Sequence, residues 1–420
     1  MLINAREACR RLGVKPATLY AYVSRGLIQS SLTPGSRERR YRADEVERLK
    51  RLRHTGRAQS LALRPFDADL PVLDSALCLV EDGRYYYRGL DATKLAATAD
   101  LEGIARLLWG VGSGSDPFAK VALPPGMAKM LRGLPPASAP IERARAMLVR
   151  LAESDLKAVD TEAGAVIQTG ARLLSALVAA ISGGGFREGV RITPSQALPG
   201  EIAGEVPAHL ALAGAWKLDR SGADLVRRFL VLIADHELNV STYVARSVAS
   251  AGATPYAVVI AALGALSGPR HGGATASAEA LIAELIRSPD PGAALAERLR
   301  RGESVPGFGH PLYPAGDPRA KAVLDALAVG PQGPRVQRVN RLRGVVARYV
   351  AKPPNVDFAG AAVASALGLP RGAALGLFLI GRSVGWIAHA IEQYATGQLI
   401  RPRARYVGVL PGEAASAVSA

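Results

Sequence analysis

Aromatic side chains are scarce in this sequence. Phe, Trp and Tyr make up 5% of its 420 residues, although 49% are hydrophobic. A core of that size must be built mostly from Ala, Leu and Val, which suits closely packed helices. Cysteine is scarcer still: Cys9 and Cys78 stand far apart. That excludes a disulfide framework and a zinc pattern, and it implies a reducing, cytoplasmic setting. An apolar leader core is missing too, since Arg6, Arg10 and Arg11 arrive too early. The apolar run 373–391 is interrupted by Arg382 and His389, so it reads as a buried helix and not as a membrane span. Glycine is abundant, 44 residues, but follows no collagen-like period.

What is present divides unevenly along the chain. The length suggests two or three domains. The net charge is +16, and residues 1–57 hold 14 Lys and Arg against five Asp and Glu. More than half of the excess positive charge therefore sits in this first part. "NAREACRRLGVKPATLYAYVSRGLI" reads as two short helices around a tight turn. Ala5, Ala8 and Leu12 share a face, Gly13 ends the first helix, and Pro16 opens the second. Leu19 and Val23 then lie on the buried side, and 17–25 is the candidate recognition helix. A basic loop and a third helix with Val46, Leu49 and Leu52 follow.

This segment resembles the MerR-type winged helix-turn-helix, through "AREACRRLGVKPATLYAYVSRGLI" and "RRYRADEVERL". The resemblance implies DNA binding, with Lys15, Thr18, Tyr20, Arg25, Arg37, Arg39, Arg40 and Arg42 as candidate contacts. The competing reading is a small helical module for protein contacts, its charges merely solvated. Phosphate contacts set affinity but not sequence, so no operator follows. Residues 57–72 form a linker with two prolines.

Beyond the linker, Asp82-Gly83 marks a hairpin turn before a return strand at 85–87. Helical periods then dominate: 101–109, 140–152, 163–181, 208–216, 223–249, 255–265, 276–286, 320–328, 334–350, 358–367 and 373–396. The fold class is mostly α, an enzyme-sized helical body preceded by the small helix-turn-helix domain. Several polar stretches break the rhythm: "ADHELNVSTYVAR", "GPRHGGA", "GFGHPLYPAGDPRA", "PPNVDFAGA", "GRSVGWIAHAIEQ" and "RPRARY". Each residue in them has an ordinary reading. His236 can be a core histidine on its helix, His271 and His310 loop residues, Asp357 a helix N-cap, Arg382 a partner of a core acid, and Arg319 a surface residue. His389 is assigned to packing. Their joint occurrence carries the functional reading.

That set, in this order, resembles the citrate synthase family over about residues 73–408. The matching pieces are "RYYYRGLD", "ADHELNVSTYVARSVAS", "GPRHGGA", "GFGHPLYPAGDPRA", "NVDF", "GRSVGWIAHAIEQ" and "RPR". The resemblance implies a large helical domain (73–265 and 367–420) and a small one (266–366). It implies condensation of acetyl-CoA with oxaloacetate, then hydrolysis of citryl-CoA. Asp357 would be the base, His271 the donor to the thioester oxygen, and His310 the group that polarises and protonates the keto oxygen. His236, Arg319, Arg382 and Arg401 would hold the carboxylates, with Arg401 reaching across a homodimer. Val305, Pro306, Gly307, Phe308 and Gly309 would lie along the CoA, and the glycines would make room for substrate. No cofactor beyond the acyl-CoA substrate and no metal are implied.

There are departures from the family pattern. Thr275 stands where Asn is usual, Pro311-Leu312-Tyr313-Pro314 where a basic residue is usual, and Gly381 where Ala is usual. They leave open 2-methylcitrate synthase activity on propionyl-CoA, a weakened enzyme, and a DNA-binding regulator that uses a synthase-like fold as a metabolite sensor.

Overall fold

The computed structural model describes residues 2–24, 28, 30–32, 39–43, 45–47, 50, 73–112, 116–119, 121, 124, 126–135, 137–183, 207–330 and 333–402. Arg25, Arg37, Leu49, Leu52 and all of the expected linker lie outside the described residues. The chain divides into two compact units, Met1–Asp74 and Ser75–Ala420.

The first unit places β1 (Leu2–Asn4) beside α1 (Ala5–Leu12) and α2 (Pro16–Ser24), with β2 (Ser30–Leu32) and β3 (Arg39–Arg42) completing a sheet of order β1-β3-β2. Asn4 caps α1 by accepting the Glu7 N–H at 2.9 Å. Gly13 ends that helix in the left-handed region, φ 63°, where a glycine costs nothing sterically. Pro16 opens α2 as its spacing predicts. Ile3, Ala8, Leu12, Leu19, Ile28, Tyr41 and Val46 form the core. The "basic loop" of the sequence reading is corrected here: Arg39 to Arg42 is the central strand. Tyr41 points inward while its neighbours face out, the period-two alternation of a one-sided sheet.

The second unit begins with a hairpin, β4 (Cys78–Glu81) and β5 (Arg84–Tyr87), with Asp82-Gly83 at its turn and β6 (Leu90–Asp91) beyond. Helices follow: α3 (Ala92–Thr98), α4 (Leu101–Trp109), α5 (Met127–Gly133), α6 (Pro140–Ser154), α7 (Ala163–Ile181), α8 (Ala208–Trp216) and α9 (Arg220–Ile233). Next come α10 (Val240–Ser250), α11 (Pro255–Leu266), α12 (Gly273–Arg287), α13 (Pro291–Arg300), α14 (Pro318–Val329), α15 (Pro334–Tyr349), α16 (Val356–Leu367) and α17 (Ala373–Thr396). Periodicity missed α3, α5 and α13. The first two have only seven residues each, and α13 is set by its Asp290 cap and Pro291 more than by an apolar stripe. The single helix expected over 223–249 is two, α9 and α10, separated by residues 234–239.

Helix α17 is the axis of this unit. It packs against α4, α6, α7, α9, α10, α11, α12 and α16. Its Gly381 and Gly385 press on the C-terminal end of α9. A Cβ at Gly381 would overlap the Ile233 side chain and come within 2.8 Å of the Leu230 carbonyl oxygen. The Gly385 N–H donates to the Ala234 carbonyl at 3.0 Å, outside its own helix. That accounts for glycine where the family usually has alanine. Among the described residues, two helices are long and apolar enough to cross a membrane, α7 and α17, and both are mostly buried inside the fold. Helices α12 to α16 pack on one another and meet the rest chiefly at α9 and α17.

Candidate active site

The break between α9 and α10 aims His236. Glu237 adopts φ 53°, a costly conformation for a residue with a Cβ. It is held there partly by the Val80 N–H, which donates to its Oε1 at 3.1 Å. Asn239 then caps α10, accepting from the Thr242 N–H at 3.1 Å. His236 is therefore not on a helix. It is buried, and its Nε2 lies 2.7 Å from the Tyr313 hydroxyl.

His271 stands on the turn between α11 and α12. The Gly268 carbonyl accepts the N–H groups of both His271 and Gly273 at 3.0 Å, which closes the turn. A Cβ at Gly272 would lie 2.5 Å from Leu266 Cδ1 and 2.7 Å from its carbonyl oxygen; one at Gly273 would lie 2.6 Å from the Gly268 oxygen. These glycines allow the tight entry into α12, where a Cβ would meet Leu266 and the Gly268 carbonyl. His271 Nε2 contacts Ser241 Oγ at 2.7 Å, and its ring meets Phe378 edge-on. Ser241 also lies 2.8 Å from Asn239 Oδ1 and receives the Trp386 indole N–H at 3.3 Å. Sequence reasoning missed Ser241, although its place two residues after a capping Asn was readable.

His310 and Asp357 are positioned together. The segment 307–309 runs antiparallel to 353–355: Gly309 N–H donates to the Pro353 carbonyl at 2.8 Å, and Asn355 N–H to the Gly307 carbonyl at 2.9 Å. Asn355 caps α16 by accepting from the Asp357 and Phe358 N–H groups, and its amide donates to the Gly309 carbonyl at 3.0 Å. Asp357 is thus not the N-cap. Its carboxylate is left for other work, and its Oδ1 accepts from the Thr275 hydroxyl at 2.5 Å. Gly307 comes so close to α16 that a Cβ would lie 2.8 Å from Phe358 Cβ. Phe308 packs on Phe358 with ring centroids 4.9 Å apart, and Val305 packs partly buried against the core.

His310 Nδ1 accepts the Leu312 N–H at 3.2 Å, so a neutral ring carries its proton on Nε2. Its ring lies 5.4 Å from His236 and 4.9 Å from Tyr313. Tyr313, in the stretch that departs from the family, is buried and links the two histidines. Arg319 lies over it at 5.7 Å, fully buried in a bidentate pair with Asp317 at 2.8 and 2.9 Å. Asp317 also accepts the Val356 N–H at 3.0 Å, tying α14 to α16. Arg319 is therefore neither a surface residue nor an unpaired clamp. Arg382 is buried over Phe378, with its Nε donating to the Ile233 carbonyl at 2.8 Å. The structure gathers His236, His271, His310, Asp357, Arg319 and Arg382 through Tyr313, Phe378, Thr275 and Asp317. It does not bring Arg401 to them: Arg401 is exposed, next to Ile400, whose N–H donates to Ser250 Oγ at 3.0 Å. His389, assigned to packing, faces Asp235 Oδ2 at 3.3 Å inside the core. Glu392 lies 3.9 Å from its other nitrogen and pairs with Arg246 at 2.8 Å.

The titratable groups of the site are largely buried, among Arg319, Arg382 and Asp317. Burial, reinforced by Arg382, lowers His271 to about 4. Burial and Arg319 lower His310 to about 4, against an opposing effect of Asp317. Burial pushes His236 well below its usual value, with Arg319, Arg382 and His310 adding to it. All three are neutral hydrogen-bonding groups near pH 7. Burial raises Asp357, and the Thr275 bond and Arg319 oppose that rise. Among the described residues no three His, Cys, Asp or Glu side chains gather where they could hold a metal ion.

This arrangement can take a proton from carbon, donate to two oxygens and attract carboxylates. The family model for the citrate synthase C-terminal domain matches residues 67–403. The chain belongs to the citrate synthase family. Residues 3–55 match the model of MerR HTH family regulatory proteins. Citrate synthase 2 of Bacillus subtilis is 37% identical over 183 residues, 43% of this chain and 49% of that protein. The 2-methylcitrate synthase of Shewanella oneidensis is 36% identical over 186 residues, 43% of this chain and 50% of that protein. The chain thus spans about half the length of these curated relatives. A citrate synthase of Mycolicibacterium smegmatis is 30% identical over 343 residues, 77% of this chain and 88% of that protein. The citrate synthase structure from Thermotoga maritima superposes with a TM-score of 0.65 at 26% identity, covering 82% of this chain and 95% of that one.

In the helix-turn-helix unit, Lys15 and Tyr20 are exposed and Thr18 is partly so. Arg39 and Arg42 are exposed on β3, with Arg39 donating to Ser30 Oγ at 3.0 Å and Arg42 lying 3.8 Å from Glu45. Arg40 is partly buried on the same strand.

Proposed function

We propose that this chain is a citrate synthase-type enzyme that condenses acetyl-CoA with oxaloacetate and hydrolyses citryl-CoA to citrate and CoA. The observation that carries the reading is the convergence of neutral His271 and His310, the Thr275-bonded Asp357, and two buried arginines. Asp357 takes a methyl proton from the thioester, and the electron pair moves to the carbonyl oxygen. A thioester α-proton is far less acidic than a carboxylic acid, so a donor fixed at that oxygen in a dry site must supply the difference. His271 is that donor, and Ser241, whose hydroxyl donates to Asn239, lies against its Nε2 and orients the ring. The enolate carbon attacks the keto carbon of oxaloacetate, whose oxygen is polarised by the Nε2–H of His310 and takes that proton from the ring's cationic form, leaving a neutral imidazole. Binding the dicarboxylate brings negative charge to His310 and His236 and favours their protonated forms. Water then splits the thioester. His236, Arg319, Arg382 and, across a homodimer, Arg401 hold the carboxylates. Residues 305–309 lie along the CoA, and 266–366 moves as a small domain that closes over the large one to exclude water.

Propionyl-CoA is the alternative acyl donor, in line with the similarity to a 2-methylcitrate synthase. Release of free CoA thiol from oxaloacetate with acetyl- or propionyl-CoA tests both; no rate above background with either sinks the reading. Asp357→Asn keeps the shape and removes the base, so turnover is expected to fall roughly 10²–10⁴-fold, with the melting temperature little changed. Activity near that of the wild type would show that another group is the base.

A second role rests on the first unit, whose MerR-type match and exposed Lys15, Tyr20, Arg39 and Arg42 support DNA binding by a cytoplasmic enzyme that also acts as a regulator. A mobility shift on genomic fragments is expected to weaken steeply with salt and to favour some fragments. Equal, weak retention of all fragments at physiological salt would count against it.

A further inference from the structure

Thr275 stands where the family usually has Asn, and it is fully buried. It lies in the first turn of α12, four residues beyond His271. Its hydroxyl donates to Asp357 Oδ1 at 2.5 Å, and Asp357 lies in the first turn of α16. The starts of two packed helices thus meet across one hydrogen bond. Among the described residues, no group bonds Asp357 Oδ2, and that atom is not sealed from solvent. The carboxylate has one oxygen fixed and one open.

We propose that Thr275 is the positioning residue of the base: its hydroxyl pins one oxygen of Asp357 and leaves the other to meet the acidic C–H of the acyl-CoA. This rests on Asp357 being the base. The geometry separates two duties that a carboxylate acting on a C–H must reconcile. An oxygen free to rotate would sample orientations that miss the carbon; a carboxylate bonded at both oxygens would be too weakly basic. One short bond from a side chain on a different helix fixes the plane of the group without using the reactive oxygen.

The same bond also favours the ionised form. Burial raises Asp357, and Thr275 is the strongest opposing influence. The charged groups acting with it are Arg319 and Arg382, which lower the carboxyl, and Asp317, which raises it. Helix α12 brings the neutral His271 besides Thr275. The hydroxyl donates to the ionised form, so its loss moves ionisation to higher pH.

Thr275→Val keeps the branched shape and removes the donor; Thr275→Ser keeps the donor. The acid limb of the kcat profile is expected to move up by about one pH unit in the Val variant, since a hydrogen bond to a charged group is worth about a tenfold change or more. At neutral pH kcat is expected to fall roughly tenfold or more, with KM for either substrate changed less than about threefold. Thr275→Ser is expected to restore the limb. A merely structural threonine would lower stability and leave the limb in place, and that result overturns the proposal. A second measurement does not need turnover. The ¹³C carboxyl resonance of Asp357, assigned by its loss in Asp357→Asn, is expected to titrate at higher pH in Thr275→Val than in the wild type. Titration at the same pH in both proteins overturns the proposal. If the wild type releases no CoA thiol at all, the enzymatic reading fails, while the titration still decides whether Thr275 governs this carboxylate.

Discussion

Two turns carry His271 and His310, and they are built on different principles. The His271 turn has ordinary backbone angles at Gly272 and Gly273, and needs glycine because two helices touch backbone to backbone. The His310 turn needs glycine first for its angles, φ 90° at Gly307 and 79° at Gly309, with Gly307 also tight against Phe358, and it is tied to the start of α16 by antiparallel backbone bonds. The first turn is welded to its own helices, α11 and α12. The second belongs as much to α16 as to its own sequence neighbours. A motif of glycine beside histidine therefore does not announce a single physical demand. His310 and Asp357 share one mechanical unit, and His271 reaches Asp357 through Thr275.

That contrast is broken most severely at Gly273. An alanine there sets its Cβ 2.6 Å from the Gly268 carbonyl oxygen and 2.9 Å from its carbon, and backbone cannot swing aside as a side chain can. Gly273→Ala is expected to cost about 3 kcal/mol, measured by urea unfolding, as overpacking of a tight contact does. It is also expected to lower kcat/KM roughly a hundredfold by displacing His271. A cost below about 1 kcal/mol would show that the turn relaxes easily, and the two turns would then be alike.

The sequence carried the helical body well because long apolar periods are local. Helices α7, α8 and α17 begin and end where their periods do, and Gly13 and Pro16 punctuate the first unit as their backbone chemistry requires. It carried the break between α9 and α10 poorly. The apolar period runs through 223–249, and only Glu237 in a left-handed conformation and the Asn239 cap interrupt it. The polar residues later found at the site were visible as unusual types on glycine turns and inside apolar helices. Their partners were not. Ser241, Tyr313, Asp317 and Thr275 are ordinary hydroxyls and an ordinary acid until tertiary packing brings them to His271, His236, Arg319 and Asp357. His389 shows the same limit: its buried contact with Asp235 spans 154 residues of sequence. Besides Ser241 beside its capping Asn, Asn355 could have been read, since an Asn just ahead of an apolar helix is the ordinary capping signal. Reading it so frees Asp357 from that role.

The milder test lies at Gly309. A Cβ there meets only the Lys352 side chain, 2.8 Å from its Cδ, and that flexible end can move. What remains is the backbone cost of φ 79°, about 1–2 kcal/mol for a residue with a Cβ. Asn tolerates this region better than Ala does. Gly309→Ala is therefore expected to cost about 1 kcal/mol in urea unfolding and to leave kcat within about fivefold of the wild type, with Gly309→Asn milder than Ala on both counts. The order Ala worse than Asn marks conformational demand, because Asn is the larger residue and a purely steric site would reverse it. If Asn proves worse, Gly309 is limited by space as Gly273 is, and the distinction between the two histidine turns reduces to their backbone bonds with α16.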